Sequence, residues 1–252
     1  MIKTRIMPTL LFKEVGLVKG VGFDSWRRVG AALQAVRVYN LREVDELIFM
    51  DIAATPNGRT PDFQLVDELA DNCFMPLTVG GGVRSVEDVR SLLSVGADKV
   101  SINTGAVENP ELIRAASERF GAQCIVVSID ARRRSDGTLE VVTCCGSRTT
   151  SLDPIQWAKR AEELGAGEIL ITSVERDGTM QGYDLPLIRD VAAAVKIPVI
   201  ASGGAGSYEH MAQVLRETEA AAVAAASMFH FTEQTPREAK LYLRDQGFAV
   251  RL

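Results

Sequence analysis

Residues 76–82 read Pro-Leu-Thr-Val-Gly-Gly-Gly, and residues 198–204 read Pro-Val-Ile-Ala-Ser-Gly-Gly, 122 positions apart in a chain of 252. Each is a short β-prone run that ends in glycine and leads into a helical pattern. A strand, a glycine turn and a helix start together aim bare backbone N–H groups at one point, which suits an anion. One glycine run is weak evidence, because glycine serves any tight turn. Two at equivalent strand ends imply a duplicated unit that grips a substrate with two phosphates.

Working outward, the echo extends along both halves. Asp45-Glu46-Leu47-Ile48-Phe49-Met50-Asp51 matches Gly167-Glu168-Ile169-Leu170-Ile171-Thr172-Ser173 at the same offset. Lys99-Val100-Ser101-Ile102-Asn103-Thr104 matches Ala222-Val223-Ala224-Ala225-Ala226-Ser227 one residue further on. Strands are expected at Arg5–Leu11, Glu46–Ile52, Pro76–Val79, Lys99–Ile102, Cys124–Ile129, Glu168–Ser173, Pro198–Ala201 and Ala222–Ala225. All are short and apolar, as parallel strands buried on both faces should be. Helical stretches separate them. Asp153-Pro154 reads as an N-cap with proline at the first helical position. Ser85-Val86-Glu87-Asp88 reads as a capping box, and Asp184 precedes a helical period through Leu185, Ile188, Val191, Ala192 and Val195. Residues 132–148 read as a loop or hairpin around Asp136-Gly137. Eight strand–helix units predict a (β/α)8 TIM barrel with an internal two-fold duplication, in one domain over residues 1–252. A doubly wound open sheet is the other arrangement this alternation allows; the duplication favours the closed barrel.

Composition bounds the partners. Hydrophobic residues make up 46% and charged residues 24%, ordinary for a globular chain. The net charge of −5 argues against nucleic acid as main partner. No apolar run is long enough to span a membrane. Met1-Ile2-Lys3-Thr4-Arg5 enters a strand pattern without signal-peptide anatomy, and a cytoplasmic location is expected. Cys73, Cys124, Cys144 and Cys145 lack metal spacing and read as reduced thiols. With two histidines, His210 and His230, a multi-histidine centre is excluded; no metal and no cofactor is expected.

In a barrel the chemistry gathers at the C-terminal strand ends. Asp51, Thr78, Asn103, Thr104, Asp130, Thr172, Ser173 and Ser202 fall there. Asp130 follows Ile125-Val126-Val127-Ser128-Ile129 and suits a general acid or base; a cap for loop amides is the other reading, and Asp51 shares both. The first phosphate site would combine Gly81 and Gly82 with Asn103 and Thr104. The second would combine Gly203 and Gly204 with Ala226 and Ser227. Lys19, in a long first loop over Phe12–Gly30, is either a substrate contact on a mobile lid or a solvated lysine. Asp177-Gly178-Thr179 supplies another loop at the mouth. At the opposite ends, Arg5, Glu46, Lys99 and Glu168 start four of the eight strands. Two positive and two negative charges there could neutralise one another across the axis.

The motifs Leu77-Thr78-Val79-Gly80-Gly81-Gly82, Lys99-Val100-Ser101-Ile102-Asn103, Gly165-Ala166-Gly167-Glu168-Ile169-Leu170, Arg176-Asp177-Gly178-Thr179 and Ile200-Ala201-Ser202-Gly203-Gly204-Ala205-Gly206 carry a resemblance. The chain resembles the cyclase subunits of imidazole glycerol phosphate synthase, the HisF family, over essentially its whole length. The resemblance implies a barrel that binds a glutaminase at its N-terminal face and passes ammonia to a bisphosphorylated substrate at the top. It implies that Arg5, Glu46, Lys99 and Glu168 gate the ammonia passage.

One position departs from that family. Its catalytic pair is two aspartates, ending the first and fifth strands. Asp130 keeps the second; Leu11 stands at the first, and leucine cannot move a proton. The first loop, Lys13-Glu14-Val15-Gly16-Leu17-Val18-Lys19, is altered as well. This pattern is similar to a paralogous branch associated with glycosyl amidation in surface-polysaccharide gene sets (the WbuZ type), which carries leucine there. Asn57-Gly58-Arg59-Thr60-Pro61-Asp62-Phe63 and Cys73-Phe74-Met75-Pro76-Leu77 share that likeness. The branch implies ammonia delivered for converting a sugar acetamido group to an acetamidino group by a further enzyme. Two alternatives stand beside it: a working cyclase in which a displaced acid such as Glu14 joins Asp130, and a silent scaffold that only activates the glutaminase.

Overall fold

The computed structural model describes residues 3–14 and 16–252. Met1 and Ile2, read above as leading into the first strand, and Val15 of the first loop lie outside the described residues. In chain order the first six strands are β1 (Arg5–Lys13), β2 (Gly16–Val21), β3 (Asp24–Gly30), β4 (Leu47–Asp51), β5 (Leu77–Gly80) and β6 (Lys99–Ile102). The other six are β7 (Ile125–Arg133), β8 (Leu139–Thr143), β9 (Arg148–Thr149), β10 (Glu168–Ser173), β11 (Val199–Ser202) and β12 (Ala222–Ala225). The helices are α1 (Ala32–Leu41), α2 (Phe63–Asp71), α3 (Val86–Ser94), α4 (Thr104–Glu108) and α5 (Glu111–Phe120), then α6 (Pro154–Glu163), α7 (Leu185–Ala194), α8 (Tyr208–Glu217), α9 (Ser227–Phe231) and α10 (Pro236–Asp245).

Parallel pairing runs β10-β11-β12-β1-β4-β5-β6-β7, and a direct β7–β10 pair closes the ring. The closed barrel is therefore the right choice over the open sheet, and each expected strand segment contains or overlaps one of its eight strands. Helix starts follow the side-chain chemistry. Ser85 and Asp88 form a reciprocal capping box on α3. Asp153 accepts the amides of Ile155 and Gln156, both at 2.9 Å, ahead of Pro154. Asp184 caps α7 through the Leu187 amide; that helix stops at Ala194, so Val195 lies one residue past the observed helix.

Apolar residues fall into two layers. A large cluster packs strands against helices. A smaller one, including Met7, Ile48, Val126, Leu170 and Ile200, fills the barrel interior. Burial of such side chains contributes about 1.5–3 kcal/mol each relative to exposure, so the closed ring is stabilised on both faces.

Two features differ from expectation. The first loop is a β-meander: β1 continues to Lys13 and pairs with β2, and β2 pairs with β3, all antiparallel. Its tight turn places Gly22 and Phe23 at φ of 58° and 64°, a geometry that suits a two-residue hairpin. The stretch after β7 is a hairpin with β8 as expected, and β9 extends it. Thr78 does not face the mouth; its hydroxyl donates to Glu46 Oε1 at 2.7 Å, toward the barrel bottom. The C-terminal helix is also pinned. Lys240 Nζ donates to the Glu43 carbonyl at 2.6 Å and meets Asp45 Oδ1 at 2.8 Å, while Asp45 Oδ2 accepts the Ile6 amide at 2.9 Å.

Candidate active site

The C-terminal strand ends surround one cavity of ≈ 1160 Å³, counting its open mouth. Leu11, Lys19, Asp51, Gly81, Gly82, Asn103, Thr104, Asp130, Thr172, Asp177, Ser202, Gly203, Gly204, Ala226 and Ser227 all line it. Residues far apart in sequence thus meet because each ends or follows a strand of one ring.

The two glycine pairs have matching backbones. Gly81 and Gly82 take φ of 105° and 76°, Gly203 and Gly204 take 87° and 106°. A Cβ would strike the Asp51 carbonyl at Gly81 and the Ser173 carbonyl at Gly203, at 2.2 and 2.7 Å. The same contact is repeated 122 positions apart, so only glycine suits these turns. Each pair is matched one unit later by a one-turn helix, α4 or α9, with no side-chain cap at its N-terminus. Amides and hydroxyls in this arrangement can hold a phosphate with little steric bulk.

Asp130 is the carboxylate that faces the cavity with its ionisation most perturbed. Burial, and then the charge of Asp177, push it up to about 7, with Arg132 opposing. Asn103 Nδ2 donates to its Oδ2 at 3.0 Å. A group poised near neutrality suits proton transfer in either direction. Asp51 instead takes the cap geometry: its Oδ1 accepts the amides of Ala53 and Ala54 at 2.9 and 3.0 Å. Asp51 Oδ2 lies 3.4 Å from Arg59. Leu11 lines the cavity, whereas Glu14 does not, so Glu14 is not positioned as a displaced acid there.

Lys19 is no solvated lysine. It sits in β2, 2% exposed, with Nζ 2.6 Å from Asp177 Oδ2. The Gly22 amide donates to the Asp177 carbonyl at 2.9 Å, so two contacts tie the β2–β3 turn to the loop after β10. Ser173, expected at the mouth, is buried with its hydroxyl unpartnered.

The opposite end holds the four charges in one ring. Arg5 reaches Glu46 and Glu168, both at 2.9 Å. Lys99 reaches the same two acids at 2.9 and 3.1 Å. Burial works against the Arg5 charge, yet Glu168 and Glu46 outweigh it and hold Arg5 above its ordinary range. The expected ring geometry is present.

Several cavity residues had no signal in the sequence. Thr55 follows no motif, yet its hydroxyl accepts the Gly82 amide at 3.1 Å. Cys145 lines the cavity, with its thiol donating to the Ile52 carbonyl at 3.0 Å. Burial and neighbouring Asp130 push that thiol up to about 12, so it stays protonated. Phe23 and Trp26 enter from the meander, which the sequence showed only as a loop.

Comparison with known proteins agrees with this geometry. A family model described as "Histidine biosynthesis protein" matches residues 5–235. The chain is 51% identical to the imidazole glycerol phosphate synthase subunit HisF of Caulobacter vibrioides strain NA1000 / CB15N, covering 100% of this chain and 97% of that one. The same values hold for the HisF subunit of strain ATCC 19089 / CIP 103742 / CB 15. The chain belongs to the HisF family of histidine biosynthesis proteins.

Proposed function

We propose that this chain is the ammonia-using barrel subunit of a glutamine amidotransferase, in the branch that serves conversion of a sugar acetamido group to an acetamidino group. The carrying observation is the mouth itself: Asp130 is poised near neutrality, while Leu11 occupies the family's other carboxylate position. Ammonia enters from a glutaminase at the N-terminal face, where the Arg5–Glu46–Lys99–Glu168 ring must part to admit it. Beyond the ring, the interior formed by Met7, Ile48, Leu170 and Ile200 is apolar. Such a passage favours neutral ammonia, because ammonium would lose its hydration. At the mouth, Asp130 moves the proton and the glycine cradles hold a phosphorylated sugar or small molecule.

A second reading has its own support. Full-length 51% identity to subunits named for imidazole glycerol phosphate synthase favours the cyclase reaction of histidine biosynthesis. The test supplies the histidine-pathway bisphosphate intermediate with ammonium salt. Imidazole glycerol phosphate formed at a useful rate, and lost on Asp130→Asn, would sink the amidination reading. No product, with glutaminase stimulation and dependence of sugar amidination on the chain, supports it. Stimulation without ammonia transfer leaves the scaffold.

The docking face yields a further prediction. Leu41 and Phe74 are 86% and 87% exposed, and both precede barrel strands, on the side of the charged ring. Two large apolar side chains exposed at this end offer a partner apolar anchor points. Phe74→Asp is expected to weaken the complex with the cognate glutaminase more than tenfold, as a lost aromatic anchor does. Titration calorimetry checks it; unchanged affinity would remove this patch from the interface.

A further inference from the structure

We propose that the β1–β3 meander carries a nucleotide subsite at the rim of the cavity, with Trp26 against the base and Lys13 and Arg28 on the diphosphate. This rests on the proposed ammonia-using site and names its substrate class, a sugar linked to a nucleoside diphosphate.

Strand pairing brings these groups together. Leu11 stands opposite Val18, Lys13 opposite Gly16, and Val18 opposite Arg28. Opposed residues, and residues two apart along a strand, share one face of a sheet. Leu11, Lys13, Trp26 and Arg28 therefore lie on one face of the meander, and Leu11 and Trp26 both line the cavity. Glycines in the middle strand make room for them. A Cβ at Gly20 would come within 3.1 Å of Trp26 Cε3, and one at Gly16 within 3.4 Å of Arg28 Nε. The indole and the guanidinium thus lie across bare backbone of β2. Lys13 Nζ sits 5.9 Å from the centre of the indole ring, and its charge opposes the rise of the Cys145 thiol in the cavity wall. The platform is anchored to the loop after β10, because Lys19 Nζ and the Gly22 amide both hold Asp177, at 2.6 and 2.9 Å.

What these groups lack points to the ligand. Lys19 is spent on Asp177. Among the described residues, neither Lys13 nor Arg28 is paired with a carboxylate, although Glu14 and Asp24 are close in the chain. The Trp26 indole N–H likewise has no acceptor there. An aromatic face beside two unpaired cations fits a planar base joined to an anion, with the ring stacked on the indole and the charge met by lysine and arginine. A bare phosphate would use the cations and leave the indole uncovered; a neutral sugar would do the reverse.

The probe is uridine diphosphate, titrated into the full chain and followed by tryptophan emission. The chain has two tryptophans, and Trp157 is 6% exposed in α6, so a saturable quench reports on Trp26. Trp26→Leu should remove the quench and weaken binding, measured by calorimetry, about 5- to 150-fold, the range for one stacked base. Trp26→Phe keeps a smaller ring and should fall between the two, which separates stacking from a disturbed fold. Lys13→Gln combined with Arg28→Gln should weaken binding roughly tenfold or more and flatten its salt dependence. Pyrophosphate should bind without a quench and at least about fivefold more weakly than uridine diphosphate. No quench, equal affinity for pyrophosphate, or affinity indifferent to Lys13 and Arg28, as for a nucleotide held only by the glycine turns, would overturn the inference. The titration needs neither ammonia nor glutaminase, so the ammonia reading can fail or stand separately. Cyclase activity together with no nucleotide binding would overturn both.

Discussion

Asp130→Asn is expected to lower ammonia-dependent product formation by about 10²–10⁴-fold, the range for loss of a general acid/base. Leu11 lines the same cavity and cannot carry a proton, so on the proposed reading Asp130 works without a paired carboxylate at that position. Glutaminase stimulation should survive, because Asp130 lies at the opposite end of the barrel from the charged ring. Activity of the wild type should follow one ionisation near pH 7, where burial and Asp177 place Asp130, and Asp130→Asn should abolish that dependence. Leu11→Asp would set a second carboxylate in the same cavity, and its charge should push Asp130 higher still. Product analysis of Asp130→Asn with excess ammonium decides the matter; full retained turnover would exclude Asp130 as the proton carrier.

The same residue has a stability signature with a defined sign. Asp130 is raised from 3.8 to about 7 on folding. The folded state therefore favours its neutral form, and stability is fully present below pH 3.8 and lost as pH rises through 7. The cost at pH 8 is at most about 4 kcal/mol, from 1.36 kcal/mol per unit. Asp130→Asn should therefore be more resistant to urea than wild type at pH 8, with the gap closing below pH 4. A variant both slower and more stable is what a strained functional group predicts; one that is destabilised at pH 8 would contradict the raised ionisation.

How much of this was legible in the sequence follows from which interactions are local. Strands read well because the interior and the helix layer both demand apolar side chains, and Ser85, Asp153 and Asp184 announce helix starts through contacts two or three residues away. The glycine pairs were visible because the duplication repeats them in register; the charged ring was visible because each of its four members starts a strand, with only Glu46 and Glu168 equivalent across the halves. The meander was hidden: its turn is Gly22-Phe23, without the Asn-Gly or Asp-Gly signature of such hairpins. Lys19–Asp177 joins residues 158 positions apart, and no local pattern distinguishes a buried lysine from a solvated one. Thr78 carries no local signal of its direction, because a short strand has two ends within four residues, and only the Glu46 carboxylate decides which end its hydroxyl serves. The hydrogen bonds from the Gly82 amide to Thr55 and from the Cys144 amide to Thr104 were equally invisible, since both partners arrive from other loops.

Lys240→Met should cost about 3–5 kcal/mol, the range for stranding one member of a buried ion pair. The Lys240 and Asp45 side chains are 5% and 4% exposed, so water cannot replace the lost ammonium. Asp45 also accepts the Ile6 amide at 2.9 Å, which couples the start of β1 to the last helix. At about 2–4 °C per kcal/mol for chains of this size, the melting temperature should fall by roughly 6–20 °C. The asymmetry of the penalty gives a sharper test. Asp45→Asn keeps an acceptor for Ile6 and removes the stranded charge, so the double variant should recover part of the loss seen in Lys240→Met alone. Urea unfolding of the four proteins measures this coupling. A loss under 1 kcal/mol in Lys240→Met, or strict additivity in the double variant, would show that Asp45 reaches solvent and that α10 is held by its apolar face alone.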